Sequence, residues 1–518
     1  MPERSDKEIS ADVAIIGYGP VGAALANALG RHGLSVVVLE REETAYSLPR
    51  AVHIDDECMR FLQAIDLADT FEPTCHVNPG MLFVDAGGTL LADWSRPQET
   101  GPLGWHASYR FHQPDLETIL RKGLTRYPTV RIIEGKTVTG LNQSDKGVAL
   151  DAAPTAEGDP VRVSARYAIG CDGARSITRS AIGPDFVDFG FNERWLVVDV
   201  LLHTDLPRLG DHTIQHCDPD APATYVRGTG LRRRWEFRLK PDADPAIEQE
   251  PERVWARLGR WLAPDDGRLE RAAVYTFRSR TATRWRAGRI LIAGDAAHET
   301  PPFMGQGLCA GLRDVANLAW KLTLVLQGKA PDALLDSYGS ERQPHVARYI
   351  DMAVALGRLI NKTAMDKVID PKRLESGEAQ IISSIRPPLG PGLGRGDHPA
   401  IGRPAPQVRL ADGTGSDVLF ANRFAVYSDP HHVPACSMAN RNRTAGMDTL
   451  PVRIEHPVLS TWLADQGIVA ALVRPDGMVM DVAASPETVA DILARLGQHV
   501  SLPGDLERLL AGMPKHSR

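Results

Sequence analysis

Residues Arg289–Leu322, RILIAGDAAHETPPFMGQGLCAGLRDVANLAWKL, form the stretch that decides the fold. The apolar run Ile290–Ala293 predicts a short buried strand of a parallel sheet. A loop rich in proline and glycine follows, and apolar residues recurring every three or four positions from Leu308 to Leu322 then predict a helix. A helix that begins at such a loop points free N–H groups and a positive dipole end into it. The stretch therefore predicts a site for a phosphate or an electron-rich ring, unless it is an ordinary strand–turn–helix connection.

The N-terminal segment carries a second strand–loop–helix pattern. The strand candidate Asp12–Ile16 precedes a G-x-G-x-x-G loop and a helical run, and a second strand candidate, Ser35–Leu39, ends at Glu40. The loop glycines allow a tight turn, close approach of the backbone to a pyrophosphate, and close packing of helix on strand. Glu40 is placed to accept hydrogen bonds from ribose hydroxyls. The loop itself consists of Gly17, Tyr18, Gly19, Pro20, Val21 and Gly22.

A third motif, Ala168–Ser176 (AIGCDGARS), pairs a strand end with an Asp-Gly turn. It predicts that Asp172 is delivered to the same groove, with Gly173 allowing a sharp turn. Alone, Asp-Gly is a common turn. In this order and at these separations, the three motifs together are specific for a dinucleotide cofactor.

These motifs resemble those of the FAD-dependent aromatic hydroxylases, the single-component flavoprotein monooxygenases, and most of all their 3-(3-hydroxyphenyl)propionate hydroxylase branch. The resemblance implies an α/β (mixed α+β) fold. A discontinuous Rossmann-like FAD-binding domain would span 1–182 and 286–385, with an antiparallel-sheet substrate domain inserted at 183–285. A thioredoxin-like domain would span 400–518. No CxxC occurs there and its cysteine is Cys436, so a packing or dimerisation role is expected rather than dithiol chemistry.

The resemblance also implies how FAD is held. Arg50 would approach the diphosphate, Gln113 the ribityl chain or ring, and a main-chain group near Val138 the adenine. Arg50 as a solvated surface residue, and Gln113 as a residue near a helix cap, remain alternatives. Asp295 would bind a sugar-like hydroxyl, because it would repel a phosphate. The full predicted cofactor set is Gly17, Gly19, Pro20, Val21, Gly22, Glu40, Arg41, Arg50, Gln113, Val138, Asp172, Gly294, Asp295, Pro302, Gly305, Gly307 and Leu308.

The implied reaction uses NADH or NADPH and O2, forms a flavin C4a-hydroperoxide, and ortho-hydroxylates a phenol to a catechol. A substrate like 3-(3-hydroxyphenyl)propionate is expected. Backbone N–H groups at Gly307 and Leu308 would stabilise the reduced flavin. His53 could help to deprotonate the phenol, although a capping or surface histidine is an equal alternative. The predicted catalytic residues are His53, Pro302 and Gly307, and the predicted substrate contacts are Tyr225, Arg227, Trp235, Pro301 and Met304.

Three further interpretations concern a run of arginines, a histidine and a cysteine. An arginine on the predicted sheet could bind a substrate carboxylate, but the run Arg232–Arg234 is interpreted as a solvated hairpin end. His298 is expected to have a structural hydrogen-bonding role rather than to act as a base. Cys309 departs from many relatives, in which asparagine is frequent, and this makes transfer of the substrate between branches less secure.

Composition limits the other partners. The chain has 518 residues and a net charge of -6, which argues for several domains and against a nucleic-acid partner. Its six cysteines are scattered without a metal-ligand spacing, so reduced thiols, no metal and a cytoplasmic protein are expected. The charged N-terminus does not resemble a signal peptide, and the sequence has no membrane span. The resemblance implies a homodimer.

Other functions compete with the phenol hydroxylase. A tailoring hydroxylase for a larger polyketide or other natural-product phenol is the nearest alternative. A flavin-dependent halogenase would carry a W-x-W-x-I-P element, which this sequence lacks. A non-catalytic flavoprotein relative should have lost cofactor motifs, yet all three stand. The choice between NADH and NADPH stays open, because no separate nicotinamide motif exists.

Overall fold

The computed structural model describes residues 8–44, 49–218, 220–360, 380–381, 386–394, 396–410, 414–420, 423–428, 452–454 and 456–502. Its strands, in chain order, are β1 Ile9–Ile16, β2 Val36–Leu39, β3 His53–Asp55, β4 His76–Val77, β5 Gly80–Val84, β6 Leu90–Ser95, β7 Ser108–Arg110, β8 Val130–Ile133, β9 Lys136–Ser144, β10 Gly147–Pro154, β11 Val161–Gly170, β12 Phe186–Leu202, β13 Thr213–His216, β14 Ala223–Arg227, β15 Arg232–Arg238, β16 Gly267–Ala282, β17 Arg286–Ala287, β18 Ile290–Ile292, β19 His298–Glu299, β20 Gln380–Ile381, β21 Ala425–Ser428, β22 Val452–Ile454, β23 Ala470–Val473 and β24 Val479–Ala483.

The helices alternate with these strands, and short 3-10 turns join several of them. In chain order the helices are α1 Pro20–Arg31, α2 Asp56–Ala64, α3 Ala68–Phe71, α4 Gln113–Gly123, α5 Ile177–Ile182, α6 Pro245–Glu248, α7 Pro251–Leu258, α8 Gln306–Leu326, α9 Asp336–Ile360, α10 Asp417–Phe420, α11 Pro457–Asp465 and α12 Val489–Leu496. Within the described residues, no helix has both the length and the apolar character that crossing a membrane requires.

An eight-stranded sheet carries all three cofactor motifs. Its order is β17-β18-β11-β1-β2-β8, and the β9–β10 hairpin continues it from β11. Strands β18, β11, β1, β2 and β8 pair in parallel. Every residue of β2 is apolar and buried, as expected for a parallel strand covered on both faces. The predicted parallel strands and the mixed α/β fold are therefore confirmed.

The ends of four parallel strands meet at one edge of this sheet. Ile16 of β1 is in register with Leu39 of β2 and with Gly170 of β11, and Gly170 is in register with Ile292 of β18. The residues that follow these strand ends are the glycine loop, Glu40, the Asp-Gly turn and the loop before α8. The register thus brings motifs that are far apart in sequence to one crevice, where open α/β sheets bind ligands.

A nine-stranded sheet faces this edge. Its order is β19-β16-β12-β15-β14-β13-β5-β6-β20, with antiparallel pairing except for the parallel pairs β13–β5 and β6–β20. The predicted antiparallel strands between 183 and 285 are present, but β5 and β6, at 80–95, extend the sheet. The predicted substrate-domain range therefore contains only part of the sheet, since strand pairing recruits segments irrespective of their place in sequence.

The two faces of the nine-stranded sheet pack differently. One face carries Leu196, Val198 and Trp235, which form a separate apolar cluster with Val254 and Leu258 of α7. The other face contributes Trp195 and Phe83 to the main core, which contains the nucleotide-side helices α1 and α8. We call this second face the cofactor-facing side of the sheet.

The C-terminal part forms its own small sheet. Its order is β22-β21-β23-β24; β21 and β22 are parallel, whereas the β21–β23 and β23–β24 pairs are antiparallel. Helix α11 packs on it through Leu459 and Leu463, which share an apolar cluster with Tyr427 of β21. The thioredoxin-like assignment for 400–518 stays a prediction, and Cys436 lies outside the described residues.

Candidate functional site

The glycine loop is built by backbone limits. Gly17 has φ +101°, and a Cβ there would lie 2.4 Å from the carbonyl oxygen of Cys171. A Cβ on Gly22 would lie 2.1 Å from the carbonyl oxygen of Gly17. A Cβ on Gly19, in contrast, would meet no atom within 4 Å. Gly17 and Gly22 are thus required by packing, while Gly19 faces open space of the kind that a pyrophosphate needs.

Pro20 and Val21 open α1 directly after this loop. Pro20 is suited to the first helical position, because its missing N–H would have no partner there. The Val21 side chain lies 3.0 Å from the position of a Cβ on Gly294 and 2.6 Å from that of a Cβ on Gly311. Val21 therefore fills the contact between α1, the loop after β18 and α8.

Glu40 lies at the end of β2, as predicted. Its Oε2 accepts from the backbone N–H of Tyr18 at 2.6 Å, and its Oε1 accepts from the backbone N–H of Glu42 at 3.0 Å. The carboxylate thus holds the glycine loop while remaining at the groove's edge. Arg41 is exposed and pairs with Glu42 at 3.1 Å. Their contacts with FAD stay predictions.

Asp172 closes its own turn. One carboxylate oxygen accepts from Ser176 Oγ at 2.5 Å, and the other accepts from the backbone N–H and the Oγ1 of Thr178, both at 3.0 Å. Gly173 has φ +74°, as the predicted sharp turn requires. The carboxylate therefore fixes the start of α5, and its reach toward the cofactor is a prediction.

The Arg50 segment is held from both sides. Gln113 Oε1 accepts from the backbone N–H groups of Arg50 and Ala51 at 2.9 and 2.7 Å. Arg234 donates to the carbonyl oxygens of Arg50 and Pro49 at 2.7 and 2.6 Å. Both ends of the Gln113 amide are engaged, since its Nε2 donates to Glu117 at 2.7 Å. Gln113 thus positions the Arg50 segment. Its contact with the flavin stays a prediction.

The interpretation of Arg232–Arg234 as a solvated hairpin end is wrong for two of its members. Arg233 and Arg234 are both buried. Arg234 Nε donates to Asp199 at 2.7 Å, and Arg271 pairs with the same carboxylate at 2.5 Å. All three arginines belong to β15, so their burial follows from the packing of the strand rather than from their charge.

The loop after β18 is anchored from beneath. Its Gly294 N–H donates to Asp314 Oδ2 at 3.0 Å, and His298 shares that oxygen at 2.7 Å. Arg342 donates to Oδ1 at 2.9 Å. Against its burial, which raises it, the interactions with His298 and Arg342 lower the pKa of the Asp314 carboxyl. His298 accordingly has the structural role expected of it.

Asp295 and the N-terminus of α8 are available to a ligand. The Asp295 side chain is exposed, and no described residue donates a hydrogen bond to it. Helix α8 begins after Gly305, at φ +62°, without a side-chain cap for its first N–H groups. These groups include Gly307 and Leu308. An unpaired carboxylate beside an uncapped helix end suits a ribityl hydroxyl next to an electron-rich ring.

The loop between them begins at Pro301. It continues as a 3-10 turn, Pro302–Met304, that buries Phe303. Thr300 Oγ1 lies 3.0 Å from the position of a Cβ on Gly307, so this loop and the helix start pack closely. Pro302 and Met304 thus stand beside the helix end, but their predicted contacts with flavin and substrate are untested.

His53 supports this loop. Its Nε2 lies 2.8 Å from Ser108 Oγ and its Nδ1 lies 3.4 Å from the carbonyl oxygen of Gly305. Because a carbonyl only accepts, Nδ1 carries the proton in the neutral ring and Nε2 accepts from Ser108. Asn78 donates in turn to Ser108 Oγ at 2.9 Å. Both ring nitrogens are committed, which favours a positioning role over the predicted role as base.

Two buried thiols meet at the start of α8, where Cys58 of α2 lies against Cys309 in the first turn of the helix. The ligand atoms of Cys309, Cys58 and Asp55 lie close enough together to hold a metal ion. Asp55, however, pairs with Arg313 at 2.5 Å, and this cation opposes a metal there. A hydrogen bond from Cys58, against the effect of burial, lowers the pKa of the Cys309 thiol to about 7. Cys309 thus contributes a buried thiol to the first turn of α8.

The cofactor-facing side of the sheet supplies an aromatic wall that the sequence patterns did not reveal. Trp195 and Phe191 of β12 both contact Phe303, with ring centroids 5.4 and 5.2 Å apart. Phe303 follows Pro302 directly, so the wall meets the loop that leads to α8. The three rings are buried together, so they form an apolar packing layer behind this loop.

The residues Tyr225 and Trp235, which were predicted to line the substrate pocket, lie instead on the other face of the sheet. Both are buried in the cluster that packs under α7. Arg227 is partly exposed and pairs with Asp211 and Asp205, at 3.3 and 3.6 Å. Because side chains alternate along a strand, the neighbour Arg234 faces the cofactor motifs while Trp235 faces away. Alternation in the sequence could not decide this direction.

Val138 and a cavity remain to be placed relative to the groove. Val138 is buried on β9, opposite Ala152, and its main-chain contact with adenine stays a prediction. A cavity of about 90 Å3 lies away from the groove, between α1, α2, α8 and the C-terminal part, with His32, Trp320 and Met478 in its lining. This cavity is separate from the cofactor motifs.

Three features of the groove together fit FAD: the open position at Gly19, the carboxylate of Asp295 and the uncapped start of α8.

Comparison with known proteins agrees with this fit. A family model described as an FAD binding domain matches residues 10–353. The chain is 38% identical over 513 residues to a probable NADH-specific resorcinol 4-hydroxylase of Rhodococcus jostii strain RHA1, covering 94% of each chain. It is 36% identical over 384 residues to a 3-(3-hydroxy-phenyl)propionate/3-hydroxycinnamic acid hydroxylase of Mycobacterium avium strain 104, covering 72% of this chain and 65% of that protein.

A solved structure supports the fold. The flavin-dependent monooxygenase PieE, in complex with FAD and substrate, matches with a TM-score of 0.78 at 21% identity, over 95% of this chain and 99% of that chain. At this identity the likeness concerns the fold alone.

Of the two sequence relatives, the chain spans nearly all of the resorcinol hydroxylase but slightly less than two-thirds of the 3-(3-hydroxy-phenyl)propionate/3-hydroxycinnamic acid hydroxylase.

Proposed function

We propose that the chain hydroxylates a phenol ortho to its hydroxyl group. The chain belongs to the FAD binding domain family and is an FAD-dependent aromatic monooxygenase that uses NAD(P)H and O2. The observation that carries the proposal is the exposed carboxylate of Asp295 with the uncapped start of α8, reached by a loop whose Phe303 packs on Trp195. Apolar surroundings of this kind suit an aromatic substrate beside a flavin, because they keep water away from it. FAD supplies the activation of O2 once NAD(P)H has reduced it.

The residues around the groove have separable tasks. The glycine loop and Arg50 receive the diphosphate, and Asp295 receives a ribityl hydroxyl. The N–H groups of Gly307 and Leu308 stabilise negative charge on the ring, because they point from a helix end in a site shielded from water. Phe303 and Trp195 exclude water from the reacting ring.

The substrate is a phenol of modest size. One relative is named for resorcinol and the other for 3-(3-hydroxyphenyl)propionate and 3-hydroxycinnamic acid. The product would be the corresponding ring with a new hydroxyl group beside the existing one. NADH is the proposed electron donor, in line with the name of the resorcinol relative.

The test measures NADH and NADPH oxidation by the FAD-loaded protein with and without resorcinol and 3-(3-hydroxyphenyl)propionate, with product analysis alongside. Stimulated oxidation that yields an ortho-hydroxylated ring is expected for at least one phenol. Stimulation that yields only hydrogen peroxide would show that the phenol is an effector and not the substrate. A protein that cannot be loaded with FAD would contradict the assignment of the groove.

A further inference from the structure

The cofactor-facing side of the sheet carries a carboxylate to which the proposed function gives no task. Glu236 lies on β15 two residues beyond Arg234, so both side chains emerge on the same side. From this side Arg234 reaches the carbonyl oxygen of Arg50. Trp195, which contacts Phe303, lies diagonally across the β12–β15 ladder from Glu236. Glu236 therefore emerges between two points at which the sheet touches the cofactor motifs.

The polar neighbours of Glu236 satisfy one another. Glu236 is in register with Val197 on one side and Thr224 on the other. Thr224 donates to Gln215 Oε1 at 2.7 Å, and Gln215 Nε2 donates to the carbonyl oxygen of Ala223 at 3.0 Å. These side chains thus have partners within the sheet, and none of these bonds involves Glu236.

The carboxylate of Glu236 lacks such a partner. Its side chain is 13% exposed, and within the described part of the chain no donor hydrogen-bonds to it. Its closest cation is Arg234, with Nη1 at 3.9 Å, which already serves Asp199 and two carbonyl oxygens. Burial raises the pKa of this carboxyl group. A carboxylate that is largely removed from water and accepts no hydrogen bond from the protein gains from a ligand that supplies a donor.

We infer that Glu236 accepts a hydrogen bond from a neutral hydroxyl group of the substrate, and that the site therefore prefers a ring with a second hydroxyl group to one with a carboxylated side chain. The inference rests on the proposed function, since it names the substrate class of the same site. A carboxylate brought beside Glu236 would meet a like charge in a poorly hydrated space. A hydroxyl group would instead pair with it.

A structural role for Glu236 is the competing explanation. Asp199 and Glu236 together could balance the charges of Arg234 and Arg271. Loss of such a balance would lower the melting temperature and the retention of FAD, but it would not change which of two rings binds better. The ratio of two dissociation constants therefore separates the explanations. Arg238, two residues further on the same side of β15, offers a matched variant of opposite charge.

The experiment titrates the FAD-loaded enzyme with resorcinol and with 3-(3-hydroxyphenyl)propionate, following the flavin absorbance. It compares the wild type with E236Q, R238Q and the control E270Q, which alters a carboxylate that pairs with Arg232 and Arg268. We expect the wild type to bind resorcinol about tenfold more tightly, as a hydrogen bond to a charged group allows. E236Q should abolish this preference, and E270Q should keep it.

Each other outcome overturns the inference. An unchanged ratio in E236Q would show that Glu236 has only a structural role. A wild type that prefers 3-(3-hydroxyphenyl)propionate, and loses that preference in R238Q, would assign the substrate contact to Arg238. Binding of neither ring would also overturn it. Because the titration requires no turnover, a missing hydroxylated product would contradict the proposed function without affecting this decision.

Discussion

The sheet edge that carries the glycine loop and the sheet face opposite it form two sides of one groove, yet they are specified differently. At the edge, Gly17 and Gly22 are required because backbone atoms lie where a side chain would stand. On the face, the neighbours Arg234 and Trp235 emerge from opposite sides of the same strand, and this side decides which of them reaches the cofactor motifs. A site built from backbone geometry can thus be recognised from residue types. A site built from strand side chains requires knowledge of which way the strand faces.

The largest effect should come from breaking the edge. In G22A the new methyl group would lie 2.1 Å from the carbonyl oxygen of Gly17. Because backbone atoms cannot yield as side chains do, we expect destabilisation by more than about 3 kcal/mol and loss of bound FAD. The flavin absorbance of the purified protein and its denaturant midpoint measure the two effects.

G19A is the matched control for that experiment. Its methyl group would enter open space in the folded chain. We expect the melting temperature to stay near that of the wild type while FAD affinity falls. A loss of stability equal to that of G22A would contradict the distinction between glycines needed for packing and the glycine that faces the cofactor.

The second prediction concerns the clamp on the Arg50 segment. R234M removes the donor to two carbonyl oxygens and leaves Asp199 with Arg271 alone. Breaking a buried ion pair costs about 3–5 kcal/mol. We therefore expect that loss of stability together with weaker FAD binding, as measured by denaturation and by titration of the apoprotein with FAD.

R233M tests the other side of the same strand. Arg233 is equally buried but pairs with Asp205 at 2.5 Å, away from the cofactor motifs. It should lose stability without a change in FAD affinity. If both variants weakened FAD binding alike, the two sides of β15 would not be functionally distinct.

Acid should destabilise the end of α1 and the nine-stranded sheet in the same pH window. Burial, with a smaller effect from Arg31, lowers the pKa of His32 from 6.5 to about 4. Burial likewise lowers the pKa of His216, on β13, to about 4. Between these values the unfolded chain binds a proton that the folded chain does not, so stability falls as the pH drops from 6.5 towards 4.

His32 alone should contribute up to about 3 kcal/mol to this loss. The free energy of unfolding of H32L, measured by denaturation from pH 7 to pH 4.5, should therefore depend less on pH than that of the wild type. A pH dependence identical to that of the wild type would mean that His32 is protonated in the folded protein.

The smallest effects distinguish two tryptophans. W235F should lower stability by about 1–2 kcal/mol with unchanged KM, because Trp235 packs under α7. W195F should raise the KM for the phenol, because its ring contacts Phe303 beside the flavin loop. Steady-state kinetics of both variants would decide this, and a raised KM in W235F would restore the original prediction for that residue.

The sequence predicted the edge of the groove well. Its strands, the loop at Gly17–Gly22 and the helix after Gly305 follow from apolar runs and glycines, and the structure has them. It did not predict that β5 joins β13, because that pairing links segments more than a hundred positions apart. It also misjudged Arg234 and Trp235, because alternation gives the period of a strand but not its direction.

Val21 links three distant parts of the chain through one side chain. Its methyl groups occupy the space that Gly294 and Gly311 leave free. A larger residue at 21 would have no room, and any side chain at 294 or 311 would require a smaller residue at 21. These three positions should therefore vary together among descendants of this sequence, and in the laboratory their double substitutions should depart from additivity.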